Sequence, residues 1–277
     1  MSAEQPGVIG LHRSMPAETY HATMAMSAGG LKRMKRSPAH FYGLQLDPNR
    51  PQGGEPTPAM RAGTLAHMML LEPSEIDSHY IVRPEWSDGR TKDGKAWLAS
   101  VSPGLVAVTE AEMATANAQA AAVLRLPEVA SLMESGEAET SAFWIDEQTG
   151  ELCKCRPDLR SPAGDGVILF DLKTCQDASP AGFSRAISHW DYHLQAAWYS
   201  DGYTLTTGKE VLGFVFGAVE SSWPHAAAAY MLDDAALDKA RIENRRLLDL
   251  YAECKRTDHW PGYQSAIQAI SLPPWAA

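Results

Sequence analysis

Within residues 153–175, CKCRPDLRSPAGDGVILFDLKTC, two aspartates and a lysine sit at unusual density for one short stretch. Asp158 follows a proline, and Asp171 and Lys173 lie two apart in an otherwise apolar run. Read as a strand, VILFDLKT puts Val167, Leu169, Asp171 and Lys173 on one face and Ile168, Phe170 and Leu172 on the other. A lone D-x-K is ordinarily an ion pair at a sheet margin. Buried charge is costly unless compensated, so such a pair calls for partners or a metal. With Asp158 ending the preceding strand, an antiparallel neighbour would bring its carboxylate beside that of Asp171. Two close carboxylates repel each other unless a divalent cation binds them, and Mg²⁺ favours a few carboxylates plus water and phosphate oxygens. An adjacent lysine would stabilise a transition state or help activate water. The chemistry that suits this set is metal-assisted phosphodiester hydrolysis.

Other positions bear on the same chemistry. In GTLAH, Gly63 and His67 are four apart and share a helical face, which lets another backbone pack close beside the imidazole. A single histidine on an apolar helix is more often a hydrogen-bonded core residue than a ligand. In HLQAAWY, Gln195 and Tyr199 are likewise four apart, a pattern that an amphipathic helix border also produces. Glu139, in GEAET, is an additional acidic candidate in what is usually a solvated turn. Arg156, on the Asp158 face of its strand, suits a phosphate and a structural ion pair equally. His189 and His193 flank the glutamine helix, as contacts or caps. Cys153, Cys155, Cys175 and Cys254 match neither a disulfide framework nor a zinc pattern, so reduced structural thiols are expected.

The elements that must position these residues follow from the pattern. Ser27 caps a short helix with Leu31 and Met34 inward. Residues 47–58 are rich in proline and glycine and form a loop. Residues 59–73 make a helix apolar nearly all round, hence buried. A second loop covers 83–97, where Trp86 and Trp97 either pack the loop or stack on a nucleic-acid end. Thr109 and Glu112 form a capping box opening an alanine-rich helix that Pro127 interrupts. Strands follow at 140–146, 151–158 and 166–174, the first two as a hairpin. Helices at about 179–188 and 191–206, strands at 211–220 and 225–232, and a long helix at 233–256 lead to an irregular tail with Trp260, Pro261, Pro273, Pro274 and Trp275. The order implies an α/β (α+β) fold, a central mixed sheet flanked by helices. The 277 residues carry a net charge of −10, yet residues 11–50 hold Arg13, Lys32, Arg33, Lys35, Arg36 and Arg50 against Glu18 and Asp47. Acid elsewhere would keep non-specific nucleic-acid binding weak. No apolar run reaches a membrane span, no signal-peptide core is visible, and a cytoplasmic location is expected.

RPD followed by DLK, with the aspartates 13 positions apart, resembles the PD-(D/E)XK nuclease superfamily. GTLAH and HLQAAWY resemble the G-x-x-x-H and Q-x-x-x-Y elements of its recombination nucleases. Together with MSAGGLKRMKRSPAHFYGLQLDP, YHLQAAWYSDGY and the tail, they are most similar to the RecE-type (exonuclease VIII-like) phage and prophage exonucleases, over about residues 18–275. The resemblance implies a restriction-endonuclease-like core in one nuclease domain. Its parts would be a basic N-terminal helical segment and loop (1–58), a catalytic core (59–256) and a C-terminal tail (257–277). It implies that His67, Asp158 and Asp171 bind metal, that Lys173 assists catalysis, and that Gln195 and Tyr199 support the site. Lys32, Arg33, Lys35, Arg36, Arg61 and Arg156 become candidates for DNA contact. Mg²⁺, with Mn²⁺ as substitute, is the implied cofactor. No iron–sulfur cluster is expected, since that branch needs a cysteine cluster this chain lacks. Implied partners are double-stranded DNA ends, a RecT-like single-strand annealing protein and further copies in a ring-shaped trimer or tetramer. The implied activity is digestion of linear duplex, 5′ to 3′, leaving 3′ single strands. A structure-specific endonuclease on the same fold, or a binding protein retaining the fold without catalysis, are the alternatives.

Overall fold

The computed structural model describes residues 8–51, 56–87, 89–264 and 266–272. The chain opens with β1 (Gly10–His12), α1 (Ala17–Ala22), α2 (Ala28–Arg36) and α3 (Pro38–Phe41). Next come α4 (Pro58–Leu71), α5 (Ile76–His79), β2 (Tyr80–Val82), α6 (Lys92–Ser100) and β3 (Val106–Val108). Then follow α7 (Glu110–Leu124), α8 (Pro127–Ser135), β4 (Glu137–Ala138), β5 (Ser141–Ile145), β6 (Leu152–Cys155), β7 (Leu159–Ala163) and β8 (Gly166–Cys175). The chain continues through α9 (Pro180–His189), α10 (Tyr192–Thr207), β9 (Val211–Glu220), β10 (Ala227–Met231) and α11 (Asp234–Thr257).

The central sheet runs β10-β9-β8-β7-β4, with β8 and β9 parallel and the other neighbours antiparallel. Alternation along β8 divides it as the sequence pattern requires. Val167 and Leu169 pack with Phe183 and Ala196 on the α9–α10 side, while Phe170 and Leu172 pack with Val123, Val129 and Leu70 on the other. β1, β5 and β6 form a separate antiparallel sheet, whose Trp144 packs with Leu31, Trp198 and Leu247 of the covering helices α2, α10 and α11. α10 is therefore buried along most of its length between the two sheets. A β-carbon at its Gly202 would stand 2.2 Å from the Trp144 indole, so only glycine permits this approach.

Several expectations change. The helix at 59–73 is not buried all round: Leu65, Ala66 and Leu70 face the core, while residues 58–62 are exposed or half-exposed. The loop over 83–97 is shorter. Thr91 caps α6 by accepting from the Gly94 N–H, which puts Trp97 on a helix; Asp88 lies outside the described residues. Residues 159–165 contain a strand, β7, and it is this strand that pairs with β8. The hairpin at 140–155 belongs to the other sheet. Residues 52–55 of the first loop, and Pro273, Pro274 and Trp275 of the tail, lie outside the described residues. The Thr109–Glu112 capping box is present. No helix among the described residues is long and apolar enough to cross a membrane.

Candidate active site

The β7–β8 register aligns Leu159 with Phe170, so Asp158, just before β7, falls opposite Asp171. Asp158 Oδ2 accepts from the Leu172 N–H at 2.7 Å, which fixes the carboxylate at the end of the sheet. α4 crosses this end. An added β-carbon on Gly63 would lie 3.4 Å from Thr174 Oγ1, and one turn later His67 points the same way. His67 Nε2 stands 3.0 Å from Asp158 Oδ2 and 3.5 Å from Glu139 Oε1. Among the described residues, His67, Glu139 and Asp158 form a group whose ligand atoms lie within 4.8 Å of one another.

Glu139 is not in a solvated turn. It joins β4 to β5 with φ +54°, in the left-handed region, and its N–H donates to Asp158 C=O at 3.0 Å. Its carboxylate lies between His67 and Arg156, with which it forms a close ion pair. Arg156 also donates to Met15 C=O at 3.0 Å, so the structural ion pair is present, and the residue lines the cleft as well.

Asp171 is 2% exposed. Its Oδ1 accepts from Gln195 Nε2 at 2.5 Å, and its Oδ2 pairs with Lys173. It lies next to the cluster rather than in it, turned toward α10. Tyr199 sits one turn beyond Gln195, edge-on to Phe214, and lines a separate cavity of about 1390 Å³ with Tyr20 and Lys154.

The electrostatics follow from burying three acids with three bases. Burial lowers the tendency of His67 to protonate, but Asp158 and then Glu139 outweigh it and hold the imidazole up at about 9. Asp171 is pushed up to about 6 by burial and by Asp158. Burial would raise Asp158 too, but the His67 charge and hydrogen bond, with Lys173, hold it below the usual carboxylate range. Burial would deprotonate Lys173, and Asp171 and Asp158 reverse that. The set accordingly fits a divalent cation. Two carboxylates and an imidazole converge, and in the metal-free fold a proton on His67 supplies the positive charge that they favour.

His67, Glu139, Asp158, Arg156 and Lys173 line a cleft of about 800 Å³ that also includes Arg13 and Tyr192, with Asp171 outside its lining. Tyr192 was not singled out from sequence. The signal was its spacing, since Tyr192, Gln195 and Tyr199 form an i, i+3, i+7 stripe on α10. Arg13, paired with Glu137 at 3.3 Å, was noted only as part of a basic segment.

The candidate DNA contacts fare unevenly. Lys35 pairs with Asp191 at 2.5 Å, and Lys32 lies over the Tyr192 ring. Arg33 lines the larger cavity, and Arg36 is exposed. Arg61 is exposed on α4 and donates to Pro56 C=O at 2.9 Å, outside the cleft lining. The four cysteines are thiols: Cys153, Cys155 and Cys254 are buried, and Cys175 is half-buried.

Comparisons with known proteins bear on the fold and the family. A solved structure from Eubacterium rectale, named "Putative exonuclease", superposes with a TM-score of 0.55 at 16% identity, covering 93% of this chain and 96% of that one. At that identity the likeness shows the fold alone, a mixed sheet between helices. SSO0001 overlaps at a TM-score of 0.28 (16% identity, 48% of this chain, 65% of that one). Protein VC1899 of Vibrio cholerae overlaps at 0.24 (10% identity, 72% and 52%). Neither carries weight at such scores. No curated protein matches the chain. Residues 27–273 match one family along a span that takes in every residue of the cluster, and the chain belongs to that family, the PDDEXK-like domain of unknown function (DUF3799).

Proposed function

We propose that the protein is a divalent-metal-dependent deoxyribonuclease. In its finer form, the proposal is a RecE-type exonuclease that digests linear duplex DNA 5′ to 3′ and leaves 3′ single strands for annealing. The observation that carries the reading is the convergence of His67, Glu139 and Asp158 within 4.8 Å, beside Asp171 and Lys173, in a cleft. The family's superfamily and the printed name of the Eubacterium rectale protein support it.

His67, Glu139 and Asp158 would hold Mg²⁺, and the imidazole suits Mn²⁺ as well. A bound divalent cation supplies Lewis-acid stabilisation of a phosphoryl oxygen and lowers the pKa of water. The chain's own groups do the rest. Lys173 presents an ammonium at the cleft to offset charge that develops on the phosphate. Asp171, buried beside the cluster between Gln195 and Lys173, would be the further carboxylate on which a cation draws. Gln195 fixes the Asp171 carboxylate from beneath, and Arg156 holds Glu139 against the histidine.

Partners follow in the same proposal: double-stranded DNA ends, a single-strand annealing protein, and further copies of the chain in a ring. The test is digestion of linear duplexes labelled at the 5′ or the 3′ end, beside closed circular duplex, with Mg²⁺ or EDTA. The expected result is Mg²⁺-dependent release of the 5′ label with circles intact. Cutting of circles would replace the exonuclease with a structure-specific endonuclease, and no cleavage at all would leave a binding protein.

A further inference from the structure

The catalytic lysine of the proposed reaction has a weakness built into it. Lys173 is anchored by Asp171, yet Asp171 is also the carboxylate on which a cation in the neighbouring cluster would draw. Once a cation draws on that carboxylate, a flexible four-carbon side chain loses its partner. A second anchor is present. The Lys173 ammonium lies 4.8 Å from the centroid of the Tyr192 ring, within cation–π range. The Lys32 ammonium lies 5.2 Å from the same centroid, and Lys32 is set back from the cleft that Lys173 and Tyr192 line.

The ring itself is fixed. Tyr192 is the first residue of α10 and packs against Phe183 (6.2 Å between centroids) and Phe216 (5.9 Å). The preceding Asp191 turns the chain at φ +54°, and Lys35 of α2 clamps its carboxylate. A ring kept only for packing needs no ammonium over it, and this one carries two. An aromatic face attracts a cation without neutralising it, so the lysine keeps its full charge for the substrate.

We propose that Tyr192 is the positioning residue for Lys173: its ring holds the ammonium at the cleft when Asp171 is engaged by a metal. This rests on the nuclease reading of the site. It assigns Tyr192 no contact with the reacting atoms.

The test is steady-state digestion of linear duplex with Mg²⁺ by wild type, Tyr192→Phe, Tyr192→Leu, Lys173→Ala and the Tyr192→Leu/Lys173→Ala double variant. Tyr192→Phe keeps the ring and should hold kcat within about twofold, whereas Tyr192→Leu should lower kcat about tenfold with KM little changed. In the Lys173→Ala background, Tyr192→Leu should have no further effect. A full additional loss there, or a Tyr192→Phe defect as large as that of Tyr192→Leu, overturns the proposal.

A second measurement does not need activity. The Lys173 ε-methylene protons should show an upfield ring-current shift in the NMR spectrum. The shift should persist when Mg²⁺ is added, remain in Tyr192→Phe and vanish in Tyr192→Leu. Its loss from wild type on adding Mg²⁺ overturns the positioning role. If wild type digests no DNA, the nuclease reading fails, and the NMR result still decides whether the ring holds the lysine.

Discussion

Glu139 holds a backbone conformation that a non-glycine residue rarely adopts, at a point where its N–H and its carboxylate are both engaged. Strain of that kind persists where surrounding bonds over-determine it, and it marks the acid as a member of the cluster. Glu139→Gln keeps the shape and removes the charge. Mn²⁺ affinity measured by calorimetry should then fall by roughly 10–100-fold, a loss of the size seen on disturbing metal sites. Unchanged affinity would remove Glu139 from the ligand set. His67 gives a pH prediction with a definite sign. Its pKa is raised from 6.5 to about 9, so its protonation stabilises the metal-free fold. That contribution is complete below about 6.5 and is lost as pH rises through about 9. Melting in EDTA should therefore show a fall in Tm across that window in wild type and a smaller one in His67→Ala. Metal binding runs the other way, because the ligand must be deprotonated. Apparent Mn²⁺ affinity should strengthen by up to about tenfold per pH unit below about 9. A pH-independent affinity would count against His67 as a ligand.

At the scale of elements, two placements make the site: β7 sets Asp158 opposite Asp171, and α10 brings Gln195 beneath. α10 can do so because Gly202 lets it lie against Trp144. Gly202→Ala should destabilise the protein by about 1–3 kcal/mol through overpacking, read as a lowered urea midpoint. A neutral result would show that Trp144 can swing aside. The D-x-K strand, the G-x-x-x-H helix and the Q-x-x-x-Y helix were legible because period and spacing are local properties. β7 was not legible, since LRSPAG reads as a loop and Pro162 argues against a strand. Proline is tolerated there because β4 pairs only with Leu159 and Arg160, which leaves Pro162 without a neighbour on that edge. The role of Glu139 was equally hidden, and that of Tyr192 showed only in its spacing from Gln195 and Tyr199 on α10. Glu139 meets His67 from 72 residues away, and Tyr192 meets Lys173 across a helix and a turn; no local pattern encodes either contact.

Across the whole molecule, a net charge of −10 coexists with a cleft in which acids and bases balance. Two of the cations that looked available for DNA have internal work: Lys35 holds Asp191 and Arg156 holds Glu139, while elsewhere Arg245 holds Asp146 and Lys255 holds Glu151. DNA binding should therefore rest on few phosphate contacts, and the slope of log affinity against log salt should lie near −2 to −4. A slope steeper than about −8 would reveal a broad basic surface and a different docking mode. The central claim is that the buried acids, His67 and Lys173 form one hydrolytic site. Its most direct test is the rate of nucleotide release from linear duplex DNA with Mg²⁺, compared between wild type and Lys173→Ala. The geometry predicts release that EDTA abolishes and that Lys173→Ala slows by about a hundredfold or more, the usual effect of removing one preorganised charge from an active site. Equal Mg²⁺-dependent release by both proteins would contradict it.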